Sequence, residues 1–317
     1  MFNNYSPTEK KEFARKFISY TILAIILSFF VYYIYTHFSD FKALLNINPL
    51  WIFPIAIIFL CSTVVNGVIF KTIMIPFHVT LKPKEWYGLS IVTSFYNLIT
   101  PFRGGAVARA VYLKKHHSFS YTNFIATMLG VYVIQFFIIT LVGMINLYFI
   151  YKYHNVFSLP VFIILFCIFA ILTSVIFFNV RFPFSLNPIL NKLFEIGNGW
   201  NIVRNNEKIL FVSIVAIIIQ LMLGVSGTMI IYTAIGIKLT VVQALFLVTI
   251  SSLAGLVSIT PGNLGFAEAV SVLSALVLGI SPVQSLSASI VNRAISTIIF
   301  FILGPIFSYI LLRKKDY

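Results

Sequence analysis

Long apolar runs separated by short polar clusters fill the chain. Runs near Phe17–His37, Pro49–Phe70, Thr122–Ile150, Leu159–Val180, Ile209–Ile235 and Pro282–Leu312 each reach the roughly 20 residues an α-helix needs to cross a bilayer. They lack the polar–apolar alternation of barrel strands, and backbone groups in lipid must bond internally, so the pattern predicts six helical spans. Two further apolar stretches are broken in the middle. Trp86–Leu113 is interrupted by Thr100-Pro101-Phe102-Arg103-Gly104-Gly105, and Thr240–Ile280 by Thr260-Pro261-Gly262-Asn263-Leu264-Gly265. The polar, Asn- and Pro-rich stretch Arg181–Lys208 reads as the longest loop.

The two broken stretches resemble each other. Ile91-Val92-Thr93 precedes the first Thr-Pro and Leu247-Val248-Thr249 the second, and a glycine (Gly105, Gly265) falls five residues after each Thr. A short apolar arm, a polar turn and a long span follow in both cases. Basic residues supply an orientation, since cytoplasmic loops collect Lys and Arg. With the N-terminus inside and each broken stretch returning to its own side, the cytoplasmic segments hold sixteen basic residues, from Lys10 and Lys11 to Lys314 and Lys315, against three outside, Lys42, Lys152 and Lys238. The first hairpin then enters from the cytoplasm and the second from outside. The expected fold class is an all-α polytopic membrane protein with about six full spans plus two broken or re-entrant helical hairpins in inverted repeats. It forms a single transmembrane domain over 1–317: a first span at 17–37, repeat one at 49–150, a span at 159–180, and a remainder at 209–312 that includes repeat two. Both termini fall in the cytoplasm.

Composition removes the soluble classes. Of 317 residues, 60% are hydrophobic and 9% charged, against roughly 25% charged in a soluble domain, and the mean hydropathy is +0.99. The net charge of +14 is dispersed over span ends rather than gathered in a patch with interleaved aromatics, which argues against nucleic acid as a partner. Cys61 and Cys167 lie in apolar runs, so neither a disulfide framework nor a metal site is expected. The basic N-terminus resembles a signal peptide, but Phe17–His37 is too long and no A-x-A site follows, so it reads as an uncleaved span.

Chemistry at membrane depth is confined to few residues. Glu268, three residues after Gly265, is the single carboxylate of the chain inside an apolar segment. It fits either a cap on the helix opening at Gly265 or a counter-charge or proton carrier. Arg293 fits an ion pair with Glu268 or a cation facing an anionic headgroup. Arg103, at the first tip, and Arg109, in the next arm, sit beside Gly104 and Gly105, where a helix start leaves backbone N–H groups for an anion. Arg109 equally fits snorkelling towards cytoplasmic phosphates with Lys114 and Lys115. Gly262, Asn263 and Gly265 form the matching tip in the second stretch. Asn97, Gln135, Asn146 and Gln220 fit a polar path or helix-to-helix bonds. No H-E-x-x-H or G-x-S-x-G is present, and no soluble segment is long enough for a domain, so no enzyme is expected.

Pro101-x-x-Gly104-Gly105-x-x-x-Arg109-x-x-x-Leu113 and Pro261-Gly262-x-x-Gly265-x-x-Glu268, followed by Arg293, resemble the flippase-like transmembrane region of lysylphosphatidylglycerol synthases. That region also occurs alone in bacterial and archaeal membranes, and the resemblance covers nearly the whole chain. Ala106 stands where the family usually carries an acid, which argues against a two-carboxylate mechanism. The synthases add a C-terminal soluble aminoacyl-transferase domain, and this chain ends just after its last span, so the resemblance implies the translocating part alone. Taken with the repeats, it implies a translocase of an anionic lipid, a phospholipid or a polyprenyl-phosphate carrier, in the cytoplasmic membrane and without a cofactor. The alternatives are an accessory subunit presenting lipid to a separate transferase, and a small-ion transporter.

Overall fold

The computed structural model describes residues 48–177, 200–255 and 260–312, with Tyr32, Tyr35 and Thr36. The expected first span at 17–37, the end of the 159–180 span and most of the expected 181–208 loop lie outside the described residues. The chain divides into two compact units, 1–46 and 47–317. The second unit carries all the elements below.

Its described residues form helices and no strands. Helix α1 is Ile52–Met74, flanked by single 3-10 turns at Pro49–Trp51 and Ile75–Phe77. The first broken stretch forms α2, Pro83–Ile99, and α3, Gly104–His117. Helix α4 is Tyr121–His154 and α5 is Leu159–Phe177. Helix α6, Glu207–Ala234, leads to the second broken stretch, which forms α7, Val241–Ala254, and α8, Phe266–Val277, and α9 is Pro282–Leu312. Segments containing α1, α4, α5, α6 and α9 are long and apolar enough to span a membrane. The chain is thus an all-α, multi-pass membrane protein. At 1.5 Å per residue α2, α3, α7 and α8 run to about 26, 21, 21 and 18 Å, all short of a hydrocarbon core of about 30 Å.

Local signals account for most boundaries. Asn48 accepts from the Leu50 N–H at the start of the first turn, and Glu85 returns its carboxylate to the Lys82 N–H at 2.8 Å. Ser120, Asn206 and Thr240 cap α4, α6 and α7. One part of the expected 181–208 loop is helical: residues 200–204 are helical, and Val203, fully buried, packs with Trp200 over Gly130 of α4. The apolar Trp–Val pair outweighs the surrounding Asn residues there.

The packing has an internal exchange. The first hairpin arm, α2, lies on α9, and the second hairpin's first arm, α7, lies on α4, while α1 and α6 pack on one another between them. Each long helix offers a glycine at the crossing. A Cβ on Gly304 would fall 2.5 Å from that of Phe95, and one on Gly143 would fall 2.7 Å from Thr249 Cγ2. Small residues let membrane helices approach closely where lipid supplies no hydrophobic drive. Helix α5 stays peripheral, with Leu165 its one buried residue.

Candidate functional site

The two helix breaks share a backbone signature. Two successive residues after each Thr-Pro are left-handed: Phe102 (φ 52°) and Arg103 (φ 55°) in the first, Gly262 (φ 58°) and Asn263 (φ 56°) in the second. Non-glycine residues seldom adopt this conformation, and it persists where surrounding contacts impose it. In the first tip, α3 turns back so tightly on α2 that a Cβ on Gly105 would lie 2.0 Å from the Thr93 carbonyl oxygen. The Gly105 N–H donates to Asn97 Oδ1 at 3.0 Å. In the second tip, the Gly265 N–H donates to Glu268 Oε2 at 2.7 Å. Both helix-start N–H groups therefore have protein acceptors.

Each tip is also strapped to the long helix of its own half by an arginine, placed oppositely in the two cases. Arg103 belongs to the tip and reaches α4, donating to the Tyr132 hydroxyl, with its guanidinium 5.0 Å from that ring's centre. Arg293 belongs to α9 and reaches the tip. Its Nε donates to Glu268 Oε1 at 2.6 Å, Nη2 pairs with the same oxygen, and Nη1 donates to the Gly262 carbonyl at 3.0 Å. Glu268 thus acts as both helix cap and counter-charge. Asn263 Nδ2 donates to the Ala254 carbonyl at 3.3 Å and holds the break to the end of α7.

Arg109 lies elsewhere. It is 8% exposed, its Nε donates to Thr93 Oγ1 at 3.0 Å, and its guanidinium sits 4.1 Å from the centre of the Phe70 ring. The structure therefore joins Arg293, Glu268 and Gly262, and it seats Arg109 among α1, α2 and α3 instead. Asn97 and Asn146 bond backbone groups, the latter donating to the Val242 carbonyl at 3.0 Å.

The tips nevertheless meet. The turn at Gly262 packs on α2, where a Cβ would stand 3.3 Å from Leu98 Cδ2, and Arg103 Nη2 lies 3.7 Å from the position of a Cβ on Gly255. Beside this junction is a cavity of about 470 Å³ walled by α1, α2, α6, α7, α8 and α9. Half of its lining residues carry a hydroxyl or an amide, among them Ser62, Asn66, Ser94, Gln220, Ser251 and Asn292, and no charged side chain lines it. Of Asn97, Gln135, Asn146 and Gln220, only Gln220 is in the wall, joined there by Asn292, the polar neighbour of Arg293. The signal was present but quiet: Gln220, Gly224, Thr228 and Tyr232 recur every four residues along one face of α6. Among the described residues no group of three or more His, Cys, Asp and Glu could hold a metal.

Comparison with known proteins agrees with a membrane protein. The chain is 26% identical to a UPF0104 membrane protein of Methanocaldococcus jannaschii, with 93% of this chain and 96% of that protein covered. No solved structure matches. The family description "lysylphosphatidylglycerol synthase TM region" matches residues 17–304, a stretch that contains both strapped helix breaks and the cavity beside them, and the chain belongs to that family.

Proposed function

We propose that this chain translocates an anionic lipid, a phospholipid or a polyprenyl-phosphate carrier, between the leaflets of a bacterial or archaeal cytoplasmic membrane, as a transporter and not as an enzyme. The exchanged packing carries the reading: the first arm of each hairpin lies on the other half's long helix, and the tips abut beside a polar cavity. In this reading the halves are inverted repeats whose hairpins re-enter from opposite faces, with both termini cytoplasmic. Arms shorter than the hydrocarbon and the charge asymmetry of the loops support it. Interrupted helices at a repeat interface are a recurring transporter design.

Within that frame Arg103 is the phosphate contact, because its described partner is a tyrosine hydroxyl rather than a carboxylate. Arg109 adds positive potential from behind the first tip. The Arg293–Glu268 pair holds the second tip, and a proton on Glu268 frees Arg293 for the headgroup during switching. Gly104, Gly105, Gly262, Asn263 and Gly265 supply the turns that let backbone approach the phosphate. The test is leaflet exchange of fluorescent phosphatidylglycerol in vesicles holding the purified protein, read by dithionite bleaching. Bleaching beyond the outer-leaflet half is expected. Bleaching equal to that of protein-free vesicles, with or without a proton gradient, overturns the proposal. Lipid binding without exchange points to an accessory role beside a transferase.

A further inference from the structure

The cavity beside the tips contains none of the charged residues that the translocation reading uses. Its wall offers hydroxyl and amide groups from all six surrounding helices and no ion. A zwitterionic or cationic group placed there would give up its hydration without meeting a counter-charge, at a cost of several kcal/mol. A sugar or polyol would instead exchange water for groups that both donate and accept. One observation shows that the wall is not fully self-satisfied, and a second shows where its hydroxyls gather. The Gln220 Oε1 atom is buried and accepts no hydrogen bond, which carries a desolvation penalty unless a ligand donor or water meets it. Further along the same face of α6, the Tyr232 hydroxyl stands beside those of Ser271 and Ser285, a cluster of three hydroxyls bridging α6, α8 and α9, of which Tyr232 and Ser271 line the cavity. A volume of about 470 Å³ lies within the range of about 300–1,000 Å³ of small-molecule sites.

We propose that this cavity binds an uncharged, polyhydroxylated group, a sugar or polyol, and so selects which headgroup is carried. Its position supports the assignment. Ser251 and Ser252 lead to Gly255, against which Arg103 rests, and Asn292 precedes Arg293. A phosphate at Arg103 would therefore carry a hydroxylated neighbour into the cavity. The lipid-borne source rests on the translocation reading, whereas the polyol chemistry of the wall does not.

The experiment measures binding by the purified protein in phosphatidylcholine nanodiscs. Phosphatidylinositol and phosphatidylserine carry equal net charge, one with an uncharged polyol and one with a zwitterion, and phosphatidic acid supplies a phosphate alone. Phosphatidylinositol is expected to bind about tenfold tighter than phosphatidylserine, the difference of one to two well-made hydrogen bonds. Gln220→Leu and Asn292→Leu should each erase that preference while leaving phosphatidic acid unchanged. Ser289→Ala, a smaller change in the same wall, should lower it about two- to fivefold even if a Leu variant fails to fold. Equal binding of phosphatidylinositol and phosphatidylserine overturns the proposal, as does a fall in all three lipids together in folded variants. Competition by free myo-inositol assigns the site to a soluble polyol, and a preference that withstands it assigns the site to the lipid headgroup. Absence of leaflet exchange would remove the translocation reading and leave this binding result standing.

Discussion

Glu268 holds two different things at once, the N–H that opens α8 and the guanidinium of Arg293. Side chains of both partners are largely buried, at 15% and 10% exposure. Removing one charge of such a pair strands the other, and Glu268→Gln should cost about 3–5 kcal/mol in thermal unfolding in detergent. Glu268→Gln with Arg293→Gln should recover part of that loss, and a single-variant cost near zero would show the pair is not structural. The glycines of the two tips should respond differently. Gly105→Ala drives a methyl into the Thr93 carbonyl oxygen, whereas at Gly265 a Cβ meets nothing within 4 Å and only the φ of 80° opposes it. Gly265→Ala is expected to cost about 1–3 kcal/mol, and Gly105→Ala clearly more, on the same unfolding scale. The sequence exposed Glu268 and Arg293 as a pair because both are rare ions at membrane depth. It gave no sign that Arg109 rests on Phe70, since that contact needs α1 to lie against the first hairpin.

At the scale of elements, the apolar runs and their Pro, Gly and Ser/Thr/Asn punctuation were enough to locate the long described helices and the hairpin arms, but not the helical residues 200–204. Breaks at Thr-Pro were equally legible, because proline removes an N–H and the following glycines permit left-handed turns. Partner choice was not. That α2 crosses α9 and α7 crosses α4 depends on Gly304 and Gly143, which on sequence alone look like any glycine in an apolar run. Tyr87→Cys with Phe307→Cys, at rings whose centres lie 5.5 Å apart, in a chain whose Cys61 and Cys167 are replaced by Ala, should be joined by a short thiol-reactive cross-linker, seen as a gel-mobility shift. Its absence would mean that the first hairpin and the last helix are not neighbours. Gly304→Leu and Gly143→Leu should each weaken the matching crossing and lower the thermal midpoint, with Gly304→Leu the more severe because an aromatic ring fills its groove.

For the whole molecule, the orientation proposal has a direct readout. Single cysteines at Lys82 and Lys114 should react with an impermeant thiol reagent only from the cytoplasmic face, and cysteines at Lys152 and Lys238 only from outside. Labelling of Lys238 and Lys114 positions from one face would break the inverted arrangement, because the hairpins would then open on the same side. The sequence by itself determined the class, the long helices and which ions lie inside apolar segments, since each follows from local hydrophobicity and from the cost of an unpaired backbone group or charge in lipid. Only the tertiary structure decided which of those ions share a contact and where the cavity lies. The polar half of its wall comes from Ser, Thr, Asn, Gln and Tyr residues on six helices, each unremarkable in its own span. The polar surface exists only once the exchanged crossings bring those faces together.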